Sequence, residues 1–204
     1  MKILHLDSSI LGAQSVSRML SADVVATLTE ACPDAQVTYR DLAADPLPHL
    51  SGAYVAATRF GAQGEPDEAL ARDLAQGQAV LDEFLAADVV VIGVAFYNFT
   101  IATQLKAWID RLALPGKTFR YTEKGPEGLC GGKRVILTIT RGGFYGPDTP
   151  AAAFEYAEGY LRALFAFIGI PSPEVIVAEG LNTGLEQREA ALSAASQRIA
   201  ALTA

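Results

Sequence analysis

The chain has 204 residues, half of them apolar and 19% charged, with a formal net charge of −7. That length and balance suit one compact domain, residues 1–204, able to bury a core without disulfide or metal staples. The acidic balance, with no run of Lys or Arg, argues against a nucleic-acid or membrane surface as partner.

Residues 1–7, MKILHLD, are too short for a signal peptide and end without a cleavage-site pattern, and no apolar run approaches the roughly 20 residues of a membrane span. Cys32 and Cys130 lie far apart with no CxxC partner, as expected of thiols in a reducing compartment. A cytoplasmic location follows as the expectation.

Lys2–Leu6 reads as a first strand, followed by a helix carrying Val16, Met19, Leu20, Val24 and Leu28 on one face. Gln36–Tyr39 is a second strand. A long connection, 41–66, holds Pro46, Pro48, Pro66, Gly52, Gly61 and Gly64, and leads into a helix marked by Leu70, Leu74, Leu81 and Leu85. Asp88–Val94 is a third strand, apolar on both faces, as in a strand covered by helices on two sides. The next helix shows Ile101, Leu105, Trp108, Ile109 and Leu112. A second long connection, 114–132, precedes a strand over Lys133–Thr140, a helix with Phe154, Leu161, Leu164, Phe165 and Ile168, a strand over Glu174–Val177, and a last helix with Leu192, Ile199 and Leu202. Loops as long as 41–66 and 114–132 roof a site or build a contact between subunits more often than they idle.

Five βα units in alternation predict an α/β fold, a doubly wound five-stranded parallel sheet between two helical layers. In strand order 2-1-3-4-5, ligands bind at the carboxyl ends of strands one and three, where the order reverses. Three loops reach that edge. The first, Asp7 to Ser17, contains neither GxGxxG nor GxxxxGK[ST]. It is rich in hydroxyls and runs into a helix N-terminus, which suits a phosphate monoester, although Ser15 or Ser17 serves equally well as a plain N-cap. The second, Phe96-Tyr97-Asn98-Phe99-Thr100, puts three aromatic rings at the mouth of the central strand. A planar ligand explains them better than core packing does. The third, Thr140-Arg141-Gly142-Gly143-Phe144-Tyr145-Gly146, lets the backbone approach a ligand and offers bare N–H groups. Phosphate donors, an aromatic platform and amide donors together describe a flavin mononucleotide (FMN) site.

The segments SSIL followed by S-x-S, YNFTIATQLK, TFRYTEKGPEGL, RGG, FIGI at 167–170 and AEG at 178–180 resemble the FMN-dependent NADH-azoreductases and quinone reductases, flavodoxin-like homodimers, nearly end to end. The resemblance implies that Ser9, Ser15, Ser17 and the backbone of Val16 hold the phosphate. It implies that the ring lies against Phe96, Tyr97, Asn98 and Phe99, with its polar edge at Thr140, Arg141, Gly142 and Gly143. It further implies that Arg59, Tyr121 and Tyr145 border the substrate, with Phe167 reaching in from the partner subunit. NADH or NADPH would give up a hydride, and a quinone or azo compound would take the electrons in a ping-pong cycle. Two departures stand out: Ala95 where the family usually has Pro, and Phe96 where Met is common.

Catalytic side chains are few. His5 lies within the first strand and is expected to face core or helix; His49, in the Pro-rich connection, is a solvated residue or a substrate neighbour. No paired His, HExxH or Cys/His cluster points to a metal. That poverty fits an enzyme whose cofactor carries the chemistry. An electron-carrier flavodoxin is the alternative, which the two long loops disfavour. Leu6-Asp7-Ser8-Ser9 has the look of a GDS-type esterase nucleophile, but no His follows position 49 to act as its base.

Overall fold

In chain order the elements are β1 (Lys2–Asp7), α1 (Val16–Ala31), β2 (Gln36–Asp41), α2 (Gly52–Arg59), α3 (Glu68–Ala86), β3 (Val89–Tyr97), β4 (Thr100–Ile101), α4 (Thr103–Leu112), β5 (Phe119–Thr122), β6 (Gly125–Gly128), β7 (Arg134–Thr140), α5 (Ala157–Phe167), β8 (Glu174–Ala178) and α6 (Leu185–Ala200). They come from a computed structural model that describes residues 1–61 and 64–203.

The main sheet has the order β2-β1-β3-β7-β8, every neighbour parallel. This is the predicted 2-1-3-4-5 arrangement. Side chains alternate across each strand and so feed two cores. Val90, Ile92 and Val94 of β3 pack with Val80, Leu81 and Phe84 of α3, Leu105, Trp108 and Leu112 of α4, and Leu161 and Phe165 of α5. Val89 and Val91 point the other way, to Leu20, Val24 and Leu28 of α1 and Ala195 and Ile199 of α6. The sheet is thus the middle of three layers, and its carboxyl edge is where the loops gather.

Three readings of helix faces are corrected. In α3 the buried face is Asp73, Gly77, Val80, Leu81 and Phe84, while Leu85 is exposed and Leu70 and Leu74 are only half-buried. The polar Asp73 is buried because it pairs with the guanidinium of Arg111 at 2.6 Å, and Gly77 leaves room for the Tyr54 ring; neither shows in a hydrophobic stripe. Met19 of α1 faces solvent, and Phe154 lies before α5, half exposed.

The two long connections are not irregular throughout. The first contains α2, capped by Ser51, whose hydroxyl accepts from Tyr54 N at 3.1 Å. The second contains the antiparallel hairpin β5–β6. The third strand outruns its predicted end by three residues and doubles back into β4.

Candidate functional site

At the carboxyl end of β1 the chain turns through Ser8 and Ser9 toward α1. The Ser8 hydroxyl donates to Gly93 O at 2.8 Å, which ties the loop to β3. Ser9, Ser15 and Ser17 are all buried. The Ser15 hydroxyl caps α1, accepting from Arg18 N at 3.4 Å, and meets the Ser17 hydroxyl at 3.1 Å. The N-cap reading is thus realised at Ser15. The backbone N–H groups of Val16 and Ser17 have no partner among the described residues, as expected for the first turn of a helix.

Arg18 fixes this loop from behind. Its guanidinium forms a fork on Asp41, Nη1 to Oδ2 at 2.6 Å and Nη2 to Oδ1 at 2.7 Å, and Nη2 also donates to Ser9 O at 2.7 Å. Hydrogen bonding to Arg18 holds the Asp41 carboxyl below its ordinary value, against the opposing effect of burial. Beneath lies a second polar cluster. Asp7 Oδ1 accepts from Ser21 Oγ at 2.8 Å and Oδ2 from the Tyr39 phenol at 3.0 Å, and His5 Nε2 lies 2.9 Å from Ser21 Oγ. Burial pushes the Asp7 carboxyl up, but bonds to His5, Ser21 and Tyr39 outweigh it and leave the group below the usual range. His5 is the helix-facing residue that its strand position predicts.

The aromatic stretch is a hairpin rather than a strand-to-helix turn. Phe96 and Tyr97 pair with Ile101 and Thr100, and the two turn residues both have positive φ, 46° at Asn98 and 74° at Phe99. Asn tolerates that region; a bulky Phe pays strain for it, and such strain gathers at functional sites. The Tyr97 phenol swings back to the first loop, 3.1 Å from Ser9 Oγ, and accepts from Ile10 N at 3.2 Å. The Asn98 side-chain amide has no partner among the described residues. Tyr145 packs on Phe96 and Phe99, with centroids 4.8 and 6.2 Å apart, and Phe99 also meets Phe154 at 5.2 Å.

After β7, the carbonyls of Arg141, Gly142 and Gly143 accept from Leu181 N, Asn182 N and Gly180 N. The N–H groups of Gly142 and Gly143 have no partner among the described residues. A Cβ on Gly142 would lie 2.6 Å from Asn182 Nδ2, so the glycine permits this close approach. The Arg141 guanidinium turns away from the sheet edge, at 3.1 Å from Glu155 Oε1, 3.1 Å from Glu158 Oε2 and 3.4 Å from Glu179 Oε2. Glu179 in turn accepts from Tyr145 N at 3.0 Å. Arg141 therefore braces the glycine loop with its side chain.

These loops enclose a cleft of about 180 Å³ that opens to solvent. Ser9, Ser15, Val16, Phe96, Tyr97, Thr140, Arg141 and Gly142 line it, as does Ala95. Ser17, Asn98, Phe99, Gly143 and Tyr145 flank these residues. Arg59, Tyr121 and Phe167 stand apart. Arg59 Nη2 donates to Ala113 O at 3.3 Å, and Tyr121, largely exposed, packs edge-on to Phe119, which in turn meets Phe167 at 4.7 Å. His49 is exposed in its loop. Sequence reasoning missed Leu11, Gln14, Leu181, Asn182 and Arg188, which complete the lining. The signal for the last three was the glycine at 180, whose φ of 73° turns the chain after β8 back over the site. Among the described residues no His, Cys, Asp or Glu cluster has the makings of a metal site, and no helix is long and apolar enough to cross a membrane.

The arrangement offers hydroxyl and amide donors at a helix N-terminus, a strained aromatic turn, and two bare N–H groups at one edge. The profile of the flavodoxin-like fold matches residues 1–202. The chain is 58% identical over 204 residues, all of both chains, to an FMN-dependent NADH:quinone oxidoreductase of Methylorubrum populi. It is 60% identical over 203 residues, 99% of each, to one of Xanthomonas campestris. The chain belongs to the flavodoxin-like family of FMN-dependent NADH:quinone oxidoreductases. A crystal structure of an azoreductase from Bacillus anthracis, 34% identical, superposes with a TM-score of 0.89 over 98% of this chain and 97% of that one. The oxidoreductase-family architecture thus accounts for the site's position at the switch between β1 and β3.

Proposed function

We propose that this chain binds FMN in the cleft and transfers two electrons from NADH to quinones, and that it cleaves aromatic azo bonds by the same route. The carrying observation is the set of unpartnered backbone donors at and beside one cleft: the N–H groups of Val16 and Ser17, and those of Gly142 and Gly143. Buried or half-buried donors without partners are costly, and an FMN molecule satisfies each kind. The hydroxyls of Ser9, Ser15 and Ser17 and the α1 N-terminus would hold its phosphate. Phe96, Tyr97, Asn98 and Phe99 would bound its ring.

FMN, when bound, supplies hydride acceptance from a nicotinamide and hydride donation to a quinone. The protein's part is positioning and polarisation. The Gly142 and Gly143 N–H groups are placed to stabilise negative charge at the ring's polar edge, as fixed dipoles that need no reorganisation. Thr140, whose hydroxyl has no partner among the described residues, stands beside them. Arg141 and its three carboxylates hold that loop still. Ala95 and Phe96, in place of a Pro and a Met, form an apolar side of the cleft against which the ring would lie.

The working form is a homodimer in the cytoplasm. The exposed rings of Phe99, Phe154 and Tyr156 beside the site supply an apolar rim for a second copy; Arg59, Tyr121 and Tyr145 would border the substrate, with Phe167 reaching in from the partner subunit. The test is the visible spectrum of protein loaded with FMN and freed of excess, before and after NADH under nitrogen. Bleaching with NADH and recovery with a quinone is the expected result. Bound flavin indifferent to NADH and NADPH would leave only a carrier, and no bound flavin would remove the reading.

A further inference from the structure

Arg188 lies in the first turn of α6, where the helix macrodipole disfavours a cation. Its neighbours three and four positions away, Gly184, Leu185, Ala191 and Leu192, carry no charge, and it forms no ion pair or side-chain hydrogen bond among the described residues. Its side chain lines the cleft together with Ser15, Val16 and Asn182. α6 packs directly against α1 on the same face of the sheet, so the two helix N-termini open side by side.

The other two arginines at the cleft are already engaged. Arg18 is bound to Asp41 and Ser9 O, and Arg141 to Glu155, Glu158 and Glu179. A phosphate monoester carries nearly two negative charges, in a protein whose own net charge is −7. Hydroxyls bring no formal charge, and a helix N-terminus brings the equivalent of about half a positive charge. A cation placed against its own helix dipole, without a protein partner, and facing the phosphate-loop serines has an anionic ligand as its natural partner.

We propose that Arg188 is the cation of the cofactor's phosphate subsite, and that it makes the cleft select flavin mononucleotide over the uncharged riboflavin; this rests on the FMN reading above. Binding of both flavins to the full-length chain would be followed by quenching of flavin fluorescence, at low salt and at about 0.3 M salt. Arg188→Gln is expected to weaken FMN about tenfold and riboflavin less than about twofold. The variant's FMN affinity should also depend less steeply on salt, because one charge pair is gone. Arg188→Lys should keep most of the wild-type preference. Equal losses for the two flavins would make Arg188 a packing residue and overturn the assignment, as would unchanged FMN affinity in Arg188→Gln. If the wild-type chain bound neither flavin, the functional reading would fail first and the assignment with it.

Discussion

Gly93 sits in the middle of β3, opposite Asp7 of β1. A methyl group on it would land well inside contact distance of Asp7 Oδ1 and only 3.1 Å from both Ser17 O and Ser21 Oγ. None of these neighbours yields readily. The Asp7 carboxylate is buried and held by Ser21 and Tyr39, and Ser17 O belongs to the first turn of α1. Overpacking of this kind costs about 1–3 kcal/mol, and disturbing a buried hydrogen-bonded carboxylate adds about 1–2 kcal/mol. Gly93→Ala should therefore destabilise the fold by roughly 3 kcal/mol, which for a chain of this length lowers Tm by about 6–12 °C. It should also push the α1 N-terminus away from the sheet and weaken FMN by more than about tenfold, because the phosphate loop rides on that turn. Urea and thermal unfolding without flavin, followed by FMN titration, measure both effects. A Tm drop below about 2 °C together with unchanged FMN affinity would refute the claim that the Asp7 cluster is rigid and supports the loop.

Other changes address the remaining parts of the site. Tyr97→Phe removes the phenol that joins Ser9 and Ile10, and should weaken FMN by about three- to tenfold with little change in Tm; an unchanged dissociation constant would show that the loop holds its own shape. Phe99→Gly puts the preferred residue at a turn position with φ of 74°, so it should leave Tm within about 2 °C despite the loss of a large ring, while turnover falls. A Tm loss typical of a truncated Phe would mean that the ring packing outweighs the strain. Stability should also fall at both ends of the pH range. Asp7 and Asp41 lie below their ordinary values in the fold, so their contribution is present above about pH 4 and is lost as pH falls through the lower folded values. Tyr39 and Tyr160 are pushed up to about 12, chiefly by burial, with the charges of Asp7 and Asp110 respectively adding to it. Their contribution is complete below about pH 10 and lost as pH rises towards 12. Urea midpoints against pH should show both limbs, and Tyr39→Phe should flatten the alkaline one.

Much of this architecture is written in local patterns. Alternating apolar runs fixed five parallel strands, because a strand fed by helices on both faces must be apolar on both. The hydroxyls at Ser9, Ser15 and Ser17, the rings at 96–99 and the glycines at 142–143 were legible as a candidate site, because each follows a strand end, and strand ends are periodicity breaks that a sequence displays. What local pattern could not carry is pairing between distant segments. The hairpin at Asn98-Phe99 contains no glycine, so the positive φ at Phe99 had no signal; β3–β4 pairing imposes it. The buried face of α3 departs from its hydrophobic stripe because Asp73 is neutralised by Arg111, which lies 38 positions away. Arg18 and Arg141, equal as charges in the sequence, were separated from Arg188 only by the carboxylates that the fold delivers to them. Whether a charged group is satisfied or left free for a ligand depends on what the whole chain brings within about 4 Å of it, and tertiary structure alone decides that.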